Sequence, residues 1–244
     1  MLQAGGQFEG QTFSDADWDS AELHDTVFVD CVIEDARFAD TVLQGAHFQR
    51  CRLLRCRFAH ADLREAVFED CQLFDPAAQQ GAVFAFSRLD SARFARCDLT
   101  RARFDGADLY DARFEACNLM AAAFPRSSFA RTFGRKVERI AVEFIDCNLG
   151  LADLAEARLA GAMLVRSRFR EADLSNADLE GADLSGADLS QAIIDGTKLG
   201  DADLRGADVR GFDLRRLATY RDMKITADQQ FHLLDAMGVD VQPE

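Results

Sequence analysis

The 244-residue sequence contains little of what common enzymes need. Its four histidines, His24, His47, His60 and His232, are scattered along the chain. No nucleophile elbow, P-loop or dinucleotide-binding glycine fingerprint occurs. We therefore predict that the protein is not an enzyme and that it uses neither a cofactor nor a small-molecule substrate.

The sequence also lacks a long apolar run and a basic surface. No segment approaches the length of a membrane span, and residues 1–10 have neither the basic stretch nor the apolar run of a secretory signal. We expect a cytoplasmic protein without a membrane partner. The net charge is −14, and phosphate neutralisation needs clustered cations, so direct binding to nucleic acid is not expected.

What the sequence does contain is a large apolar residue at every fifth position. These centres run from Phe8 to Leu73, from Phe84 to Phe129 and from Phe144 to Leu214, with 14, 10 and 15 members, 39 in all. A period of five fits neither an α-helix nor a simple alternating strand. One five-residue unit cannot bury its own centre, whereas stacked units can. The repeat therefore predicts a β-solenoid.

A second regularity shows which residues face the interior. The residue two positions before the centre is small in most repeats, and residues two apart on extended backbone point the same way. This pair therefore faces one core, and the other three residues of each unit face solvent. Between Phe94 and Phe124 the centres alternate between Phe and Leu. Stacking like over like requires an even number of faces per coil, and the spacing alone leaves four and six open.

The cysteines follow the same repeat. No C-x-x-C pair occurs, and the spacings match the repeat and not the ligand geometry of a zinc site or a disulfide framework. We interpret these cysteines as small buried core residues, and we expect no metal site. All seven lie two residues before a centre: Cys31, Cys51, Cys56, Cys71, Cys97, Cys117 and Cys147.

The repeat is interrupted twice. Leu73 and Phe84 are eleven residues apart, which predicts a six-residue insertion that bulges outward near residues 74–82. The second interruption keeps its phase, but Gly134 and Arg139 would occupy the centre positions and cannot fill a core, so we predict a loop over 131–141. Outward loops on a rigid scaffold often carry binding sites, although a neutral insertion is the alternative. The candidate partner-binding residues are Phe74, Asp75, Gln79, Gln80, Arg131, Thr132, Phe133, Arg135, Lys136 and Arg139.

Charge is distributed unevenly. Residues 1–35 hold nine acidic residues and no Lys or Arg, residues 36–141 hold 17 basic and 13 acidic residues, and residues 171–214 hold three basic and eleven acidic residues. Aspartates in the last zone precede their centres, so units twenty residues apart should stack carboxylates. They are either consensus residues on a solvated face or an imitation of the phosphate array of DNA. The aspartates are Asp173, Asp178, Asp183, Asp188, Asp203, Asp208 and Asp213.

After Leu214 the repeat ends, and residues 221–244 are predicted to form a helix and tail. Thr226 and Gln229 fit a capping box. The apolar residues Phe231, Leu234 and Met237 recur on one helix face. We expect this segment to cap the solenoid, whose open end would otherwise be an exposed sheet edge. The same face could join two copies of the chain about a two-fold axis.

Units such as Ala172-Asp173-Leu174 and Ala187-Asp188-Leu189 resemble the A-D/N-L-x-x pattern of pentapeptide-repeat proteins. This resemblance implies an all-β fold, a right-handed quadrilateral β-helix over residues 1–220 with two outward loops and a C-terminal helical cap. At four repeats per coil, roughly ten coils spaced by about 4.8 Å would form a rod of about 45 to 50 Å.

Three stretches are similar to the Qnr-type subgroup, which protects bacterial type II topoisomerases from quinolones. They are residues 71–81, residues 131–133 and residues 233–239. The resemblance implies a DNA-mimicking homodimer, joined through the C-terminal helix, that engages DNA gyrase or topoisomerase IV. Its second loop would contact the enzyme, and its first loop would modulate that contact. The alternative is an interaction scaffold with a different protein partner.

Overall fold

The computed structural model describes residues 3–133, 137–240 and 242. Backbone pairing joins residues that are twenty apart: Phe8 lies in register with Phe28, and Phe28 with Phe48. Twenty residues are four pentapeptides, so each coil has four sides. Of the two possibilities that the spacing leaves open, four faces is correct. We number the faces after the centres of the second coil, Phe28, Ile33, Phe38 and Leu43.

The strands are two to four residues long because each face ends in a turn after one pentapeptide. Most pair in parallel with the strand one coil away, and the remaining wall segments pair through single bridges at the same spacing. The first face contains β1 (Gln7–Glu9), β3 (Val27–Val29), β5 (His47–Gln49), β7 (Val67–Glu69), β10 (Arg93–Ala95), β11 (Ala112–Glu115) and β14 (Val142–Ile145); the second contains β2 (Thr12–Ser14), β4 (Val32–Glu34) and β6 (Arg52–Leu54).

The core is a set of stacked columns of centres. On the first face, Phe48 and Phe68 have ring centroids 4.8 Å apart and nearly parallel planes. This distance equals the spacing of neighbouring strands. Rings from the first and third faces, which lie opposite each other, meet edge-on in the core, as Phe94 and Phe104 do at 6.5 Å. Stacked and edge-on pairs both place the positive ring edge near a negative ring face, so the Phe columns stabilise each other.

The coil corners bring side chains from successive coils together. Where one pentapeptide follows another directly, the residue two after the centre adopts the left-handed conformation, as Asp30 does with φ +53° and Arg50 with φ +51°. Because these corners stack, Arg50 pairs with Asp30 at 2.7 Å and Arg166 pairs with Asp146 at 2.7 Å. Hydrogen bonding to Arg166 lowers the pKa of the Asp146 carboxyl. Solvent screens such exposed pairs, so each contributes little to the stability of the rod.

Both insertions have the predicted lengths. Arg57 pairs with Val83, 26 residues later, so six residues leave the first interrupted coil. Phe114 pairs with Phe144, 30 residues later, so ten leave the second. Each insertion forms an antiparallel pair of its own: β8 (Phe74–Asp75) with β9 (Gln80–Gly81), and β12 (Ala130–Phe133) with β13 (Val137–Ile140).

The wall continues beyond Leu214, where the repeat was expected to end. A 3-10 helix at Leu214–Arg216 adds one residue, so Lys198 pairs with Thr219 and Asp203 pairs with Lys224 at a spacing of 21. Leu214 is only partly buried, whereas Phe212 is buried. The 3-10 turn takes Leu214 out of the centre position that its spacing predicted.

A short helix, α1 (Gln229–Ala236), covers the C-terminal end. Its Gln229 Oε1 accepts hydrogen bonds from the Thr226 N–H and hydroxyl, which is half of the predicted capping box. The reciprocal bond is replaced, because the Gln229 N–H donates to the Thr226 carbonyl and the helix begins after Asp228. The Nε2 of the same side chain donates to the carbonyls of Leu204 and Ala207 at 2.6 and 2.7 Å. Leu233 packs into the end of the core. Gln229 thus satisfies backbone acceptors that an open last coil would leave unpaired.

The expected fold class, a quadrilateral β-helix with two outward loops and a C-terminal helix, is confirmed. Within the described residues, no helix combines the length and the apolarity needed to cross a membrane.

Candidate partner-binding surface

The two loops leave the rod at diagonally opposite edges. The first loop follows Leu73 on the second face and returns to Phe84 on the third. The second loop follows Phe129 on the fourth face and returns to Phe144 on the first. The loops are two and a half coils apart along the axis, or about 12 Å at the usual strand spacing. The structure therefore does not bring the two predicted loops into one site.

The first loop is held in place by Asp75. Its side chain is buried, and its Oδ1 accepts from the Ala77 and Ala78 N–H groups at 2.8 and 3.1 Å. Arg55 pairs with Asp75 and also with Asp35, the latter at 2.7 Å. The Ala78 N–H and the Arg55 guanidinium lower the pKa of the Asp75 carboxyl. Asp75 was predicted to contact a partner, but its carboxylate is already bonded to groups of the same chain.

The other candidate residues of this loop differ in exposure. Gln79 and Gln80 are exposed, whereas Phe74 is partly buried. Gly81 passes so close to the next coil that an added Cβ would lie 2.4 Å from the Arg101 carbonyl oxygen. No side chain fits there, which explains the glycine. The surface available to a partner is therefore the tip, residues 76–80.

Replacing Asp75 with Ala should free the first loop without unfolding the rod. The substitution removes the two turn hydrogen bonds and the Arg55 pair, while the coil cores stay intact. We expect elastase, which cleaves after small residues such as Ala77, to cut the variant at least tenfold faster than the parent. Mass spectrometry identifies the cut. Gln80→Ala is the matched control, because Gln80 is an exposed residue of the same loop; equal cleavage of both variants would contradict the anchoring role.

A basic cleft lies beside the first loop, and the sequence reasoning missed it. Arg57, Arg101 and Arg103 line this cleft together with Gln79 and Gln80. Arg101 Nη1 donates to the Gln79 carbonyl at 3.1 Å, and Arg103 pairs with Asp105 at 2.8 Å. Arg57 and Arg103 lie in the coils on either side of Val83, and each pairs with it. Their alignment in one column is visible in the sequence only after the six inserted residues are left out of the spacing. Aligning the repeats on both sides of the insertion in this way could have revealed the cleft from the sequence.

The second loop is a hairpin with an anchor at its base. Arg131 pairs with the buried carboxylate of Asp90, and its guanidinium lies 4.6 Å from the centroid of the Tyr110 ring. Cation–π contact and ion pairing together fix the start of the hairpin. Arg131, predicted as a contact residue, is therefore largely engaged within the chain. Thr132 and Arg139 are exposed.

Three candidates of the second loop remain, Phe133, Arg135 and Lys136. Phe133 ends strand β12, where its backbone pairs with Val137. Arg135 and Lys136 lie outside the described residues. Sequence alone had assigned all of these residues to one contact surface. Arg139 lies opposite Arg131 in the hairpin register, so exposure and not position distinguishes the anchor, Arg131, from the exposed Thr132 and Arg139.

The predicted stacking of carboxylates is present. Asp183 pairs with Asp203 on the first face, and Asp188 pairs with Asp208 on the second. Asp173 and Asp178 lie on the third and fourth faces. All seven aspartates are partly buried, and each accepts a hydrogen bond from the backbone N–H two residues later at 2.9–3.2 Å. These aspartates stabilise the turns on all four faces, so they do not form one continuous stripe.

Four of the seven aspartates are also ion-paired. Asp203 pairs with Arg205 at 2.6 Å, and this contact lowers the pKa of Asp203 to about 2. The other pairs are Asp208 with Arg210, Asp213 with Arg215 and Asp178 with Lys198. The arginines follow their aspartates by two residues along the same pentapeptide. Local charge at these positions is therefore smaller than the acid count suggested.

The C-terminal helix presents apolar residues to solvent. Phe231 is 50% exposed, and Leu234 and Met237 are partly buried. Val239, just after the helix, is also exposed. Leu233 is the one apolar residue of α1 that is fully buried. The three residues predicted for a dimer contact are thus at least partly accessible in the single chain.

Two descriptions of the repeat match this chain. The family described as pentapeptide repeats matches residues 80–115, 142–176, 152–191 and 172–211, and a pentapeptide repeat region matches residues 5–75. Together they cover most of the sequence, and the chain belongs to the pentapeptide-repeat family. Comparison with curated proteins gives no significant match.

Two solved structures have a fold similar to that of this chain. The chain is similar to full-length QnrB1, a plasmid-mediated fluoroquinolone resistance protein, with a TM-score of 0.77 and 23% identity over 96% of this chain and 100% of that chain. A trypsin-treated QnrB1 variant gives a TM-score of 0.76 and 21% identity over 98% and 100%. The resemblance to the Qnr-type subgroup is thereby confirmed at the level of the fold.

Proposed function

We propose that this protein binds a bacterial type II topoisomerase, DNA gyrase or topoisomerase IV, and protects it from quinolones. The observation that carries the proposal is that both loops are anchored by buried carboxylates, Asp75 and Asp90, on a rod similar over its length to a fluoroquinolone resistance protein. Burying a carboxylate is costly unless it is paired. A loop without a function has no need of a fixed position, so a buried, paired carboxylate at its base would serve no purpose. A loop that binds a partner does need a fixed position, because it loses less conformational entropy on binding.

Binding requires no catalysis in this proposal. The exposed part of the second loop, with Thr132 and Arg139, contacts the topoisomerase. The first loop modulates the contact through Gln79 and Gln80 and the adjacent basic cleft. Residues 171–214 carry an excess of eight negative charges. Their summed electrostatic potential attracts the DNA-binding groove of the enzyme, and no continuous stripe of aligned carboxylates is required.

We further propose that the active form is a homodimer joined through α1. Phe231→Asp should convert it to a monomer, because the substitution places a charge at the most exposed residue of the apolar strip formed by Phe231, Leu234 and Met237. Light scattering should then give the chain mass of 27.0 kDa in place of twice that value. The unfolding temperature of the variant should equal that of the parent protein at a concentration low enough to make the parent monomeric. Phe231 is half exposed in the single chain, so its replacement should not destabilise the monomer.

Leu233→Ala is the contrasting variant for the dimer. It removes a buried side chain and should destabilise the cap by about 2–3 kcal/mol, yet leave the outer face of α1 unchanged. It should therefore remain dimeric. A parent protein of single-chain mass, or an unchanged mass for Phe231→Asp, would contradict the dimer.

The function is tested with purified topoisomerase, relaxed plasmid and a fluoroquinolone. We expect micromolar protein to restore supercoiling by gyrase, or decatenation by topoisomerase IV, and to reduce the drug-stabilised cleaved DNA. Bovine serum albumin at equal concentration is the control for nonspecific protection. No effect on either enzyme would contradict the proposal and favour a scaffold with another partner.

A further inference from the structure

The third face of the rod carries an exposed aromatic side chain beside the first loop. Phe86 follows the centre Phe84 by two residues, so it lies at the corner between the third and fourth faces, and it is 50% exposed. Its φ is +56°, a left-handed conformation that crowds a bulky side chain. Asn176 occupies the same corner column with φ +58°, and asparagine tolerates this conformation well. The turn therefore does not require a phenylalanine.

The Phe86 ring is held between neighbouring coils. It stacks on the His60 ring with a centroid distance of 5.3 Å and an angle of 11° between the planes. On its other side, a Cβ added to Gly106 would lie 2.6 Å from the Phe86 ring, so the ring covers this glycine. His60, Phe86 and Gly106 are successive members of one corner column. The rings of His60 and Phe86 thus form an aromatic ridge along one side of the third face.

The opposite side of the same face is basic. Arg57 and Arg103 lie two coils apart in one column, and Arg101 joins them in the cleft beside the first loop. Arg57 and Arg101 are exposed, and neither forms an ion pair with a carboxylate of the described residues. The partly buried Ala59 and Ala85 lie between the arginines and the aromatic ridge. The third face therefore carries a shallow groove with small residues at its floor, positive charge on one side and aromatic rings on the other.

We propose that this groove binds an acidic peptide segment of a partner protein, with an aromatic or large aliphatic residue between its carboxylates. The carboxylates pair with Arg57 and Arg101, and the apolar residue packs against the ridge formed by His60 and Phe86. Charge complementarity favours such a segment, because the protein as a whole is strongly acidic while these two arginines keep their charge available. The proposal rests on the partner-binding role proposed for the first loop and names the chemistry of the bound segment.

A nucleic acid strand would also offer negative charge and flat rings. A net charge of −14, however, repels a polyanion along its whole length, whereas a short peptide places its few charges inside the groove. At the usual strand spacing, Arg57 and Arg103 are about 10 Å apart along the rod. Five extended residues span about 17 Å. A pentapeptide is therefore long enough to test the groove.

Binding is measured by fluorescence anisotropy of the fluorescein-labelled peptide Glu-Glu-Phe-Glu-Glu, titrated with full-length protein at low salt. We expect saturable binding that weakens at least threefold at about 0.3 M NaCl, because the ion pairs are exposed to solvent. The peptide Glu-Glu-Ser-Glu-Glu, which lacks the apolar residue, should bind at least threefold more weakly than the phenylalanine peptide. A labelled strand of five thymidine nucleotides should bind at least tenfold more weakly. Equal or tighter binding of the thymidine strand would overturn the proposal in favour of a nucleic acid site.

Two variants test the two sides of the groove. Phe86→Asn and Arg57→Gln should each weaken binding of the phenylalanine peptide at least threefold. Because asparagine suits the left-handed corner, Phe86→Asn should unfold at the temperature of the parent or above it, which separates lost binding from misfolding. The matched controls are Leu151→Asn, at an exposed corner with φ +60°, and Arg168→Gln, at an exposed arginine of the second face.

Both controls should bind the peptide as the parent does. Absence of binding by the parent, unchanged binding by Phe86→Asn, or equal weakening in the controls would each overturn the proposal. Protection of a topoisomerase is measured in a separate assay without the peptide, so failure of the groove and failure of the proposed function give different results.

Discussion

Deletion of residues 131–140 should leave a folded rod that no longer protects a topoisomerase. The deletion brings Phe129 and Phe144 to a spacing of five, and Val142 already occupies the buried position two residues before the centre. Asp90 would lose its partner Arg131 and remain buried, so the deletion is combined with Asp90→Asn. We expect the protein concentration needed to restore supercoiling to rise at least tenfold.

The first loop supplies the matched control for this deletion. Removing residues 75–80 brings Leu73 and Phe84 to the same spacing of five and removes Asp75, while Arg55 keeps its pair with Asp35. This variant should still bind the enzyme, with altered strength. Circular dichroism and thermal unfolding should show both variants folded. Full protection by the second-loop deletion would contradict the role assigned to that loop.

Phe104→Ala should cause the largest loss of stability that a single truncation in the rod produces. The Phe104 ring stacks on Phe84 at 5.1 Å and on Phe124 at 4.8 Å, and it meets Phe94 and Phe114 edge-on. Truncating a buried Phe costs about 3–5 kcal/mol. In a solenoid each coil is stabilised by its neighbours, so a weak middle coil uncouples the two halves.

Denaturant unfolding followed by circular dichroism measures this effect. Phe8→Ala is the comparison, because Phe8 is partly exposed in the first coil and stacks only on Phe28, at 5.4 Å. We expect Phe8→Ala to cost less than half as much as Phe104→Ala. We also expect the Phe104 variant to unfold in a broader transition. Equal losses at both positions would show that the stacked column does not determine stability.

Several features of the candidate site could not be predicted from sequence. Asp75 and Arg131 look like loop residues available to a partner, yet each pairs with a residue from an earlier coil, Arg55 and Asp90. Such contacts depend on which residues become neighbours after the insertions shift the register. The same reason hides the basic cleft at Arg57, whose neighbours come from coils on both sides of the first loop.

The solenoid, its buried centres, the buried cysteines and the lengths of both insertions could be predicted from the sequence. These follow from a period of five and from the alternation of side chains along extended backbone, which are properties of neighbouring residues. Only the folded chain shows that each coil has four faces, that the loops lie on opposite edges, and that Asp75 and Arg131 are paired with residues from earlier coils. Those outcomes depend on how coils close and stack and on side-chain orientation, and spacing along the chain does not specify them.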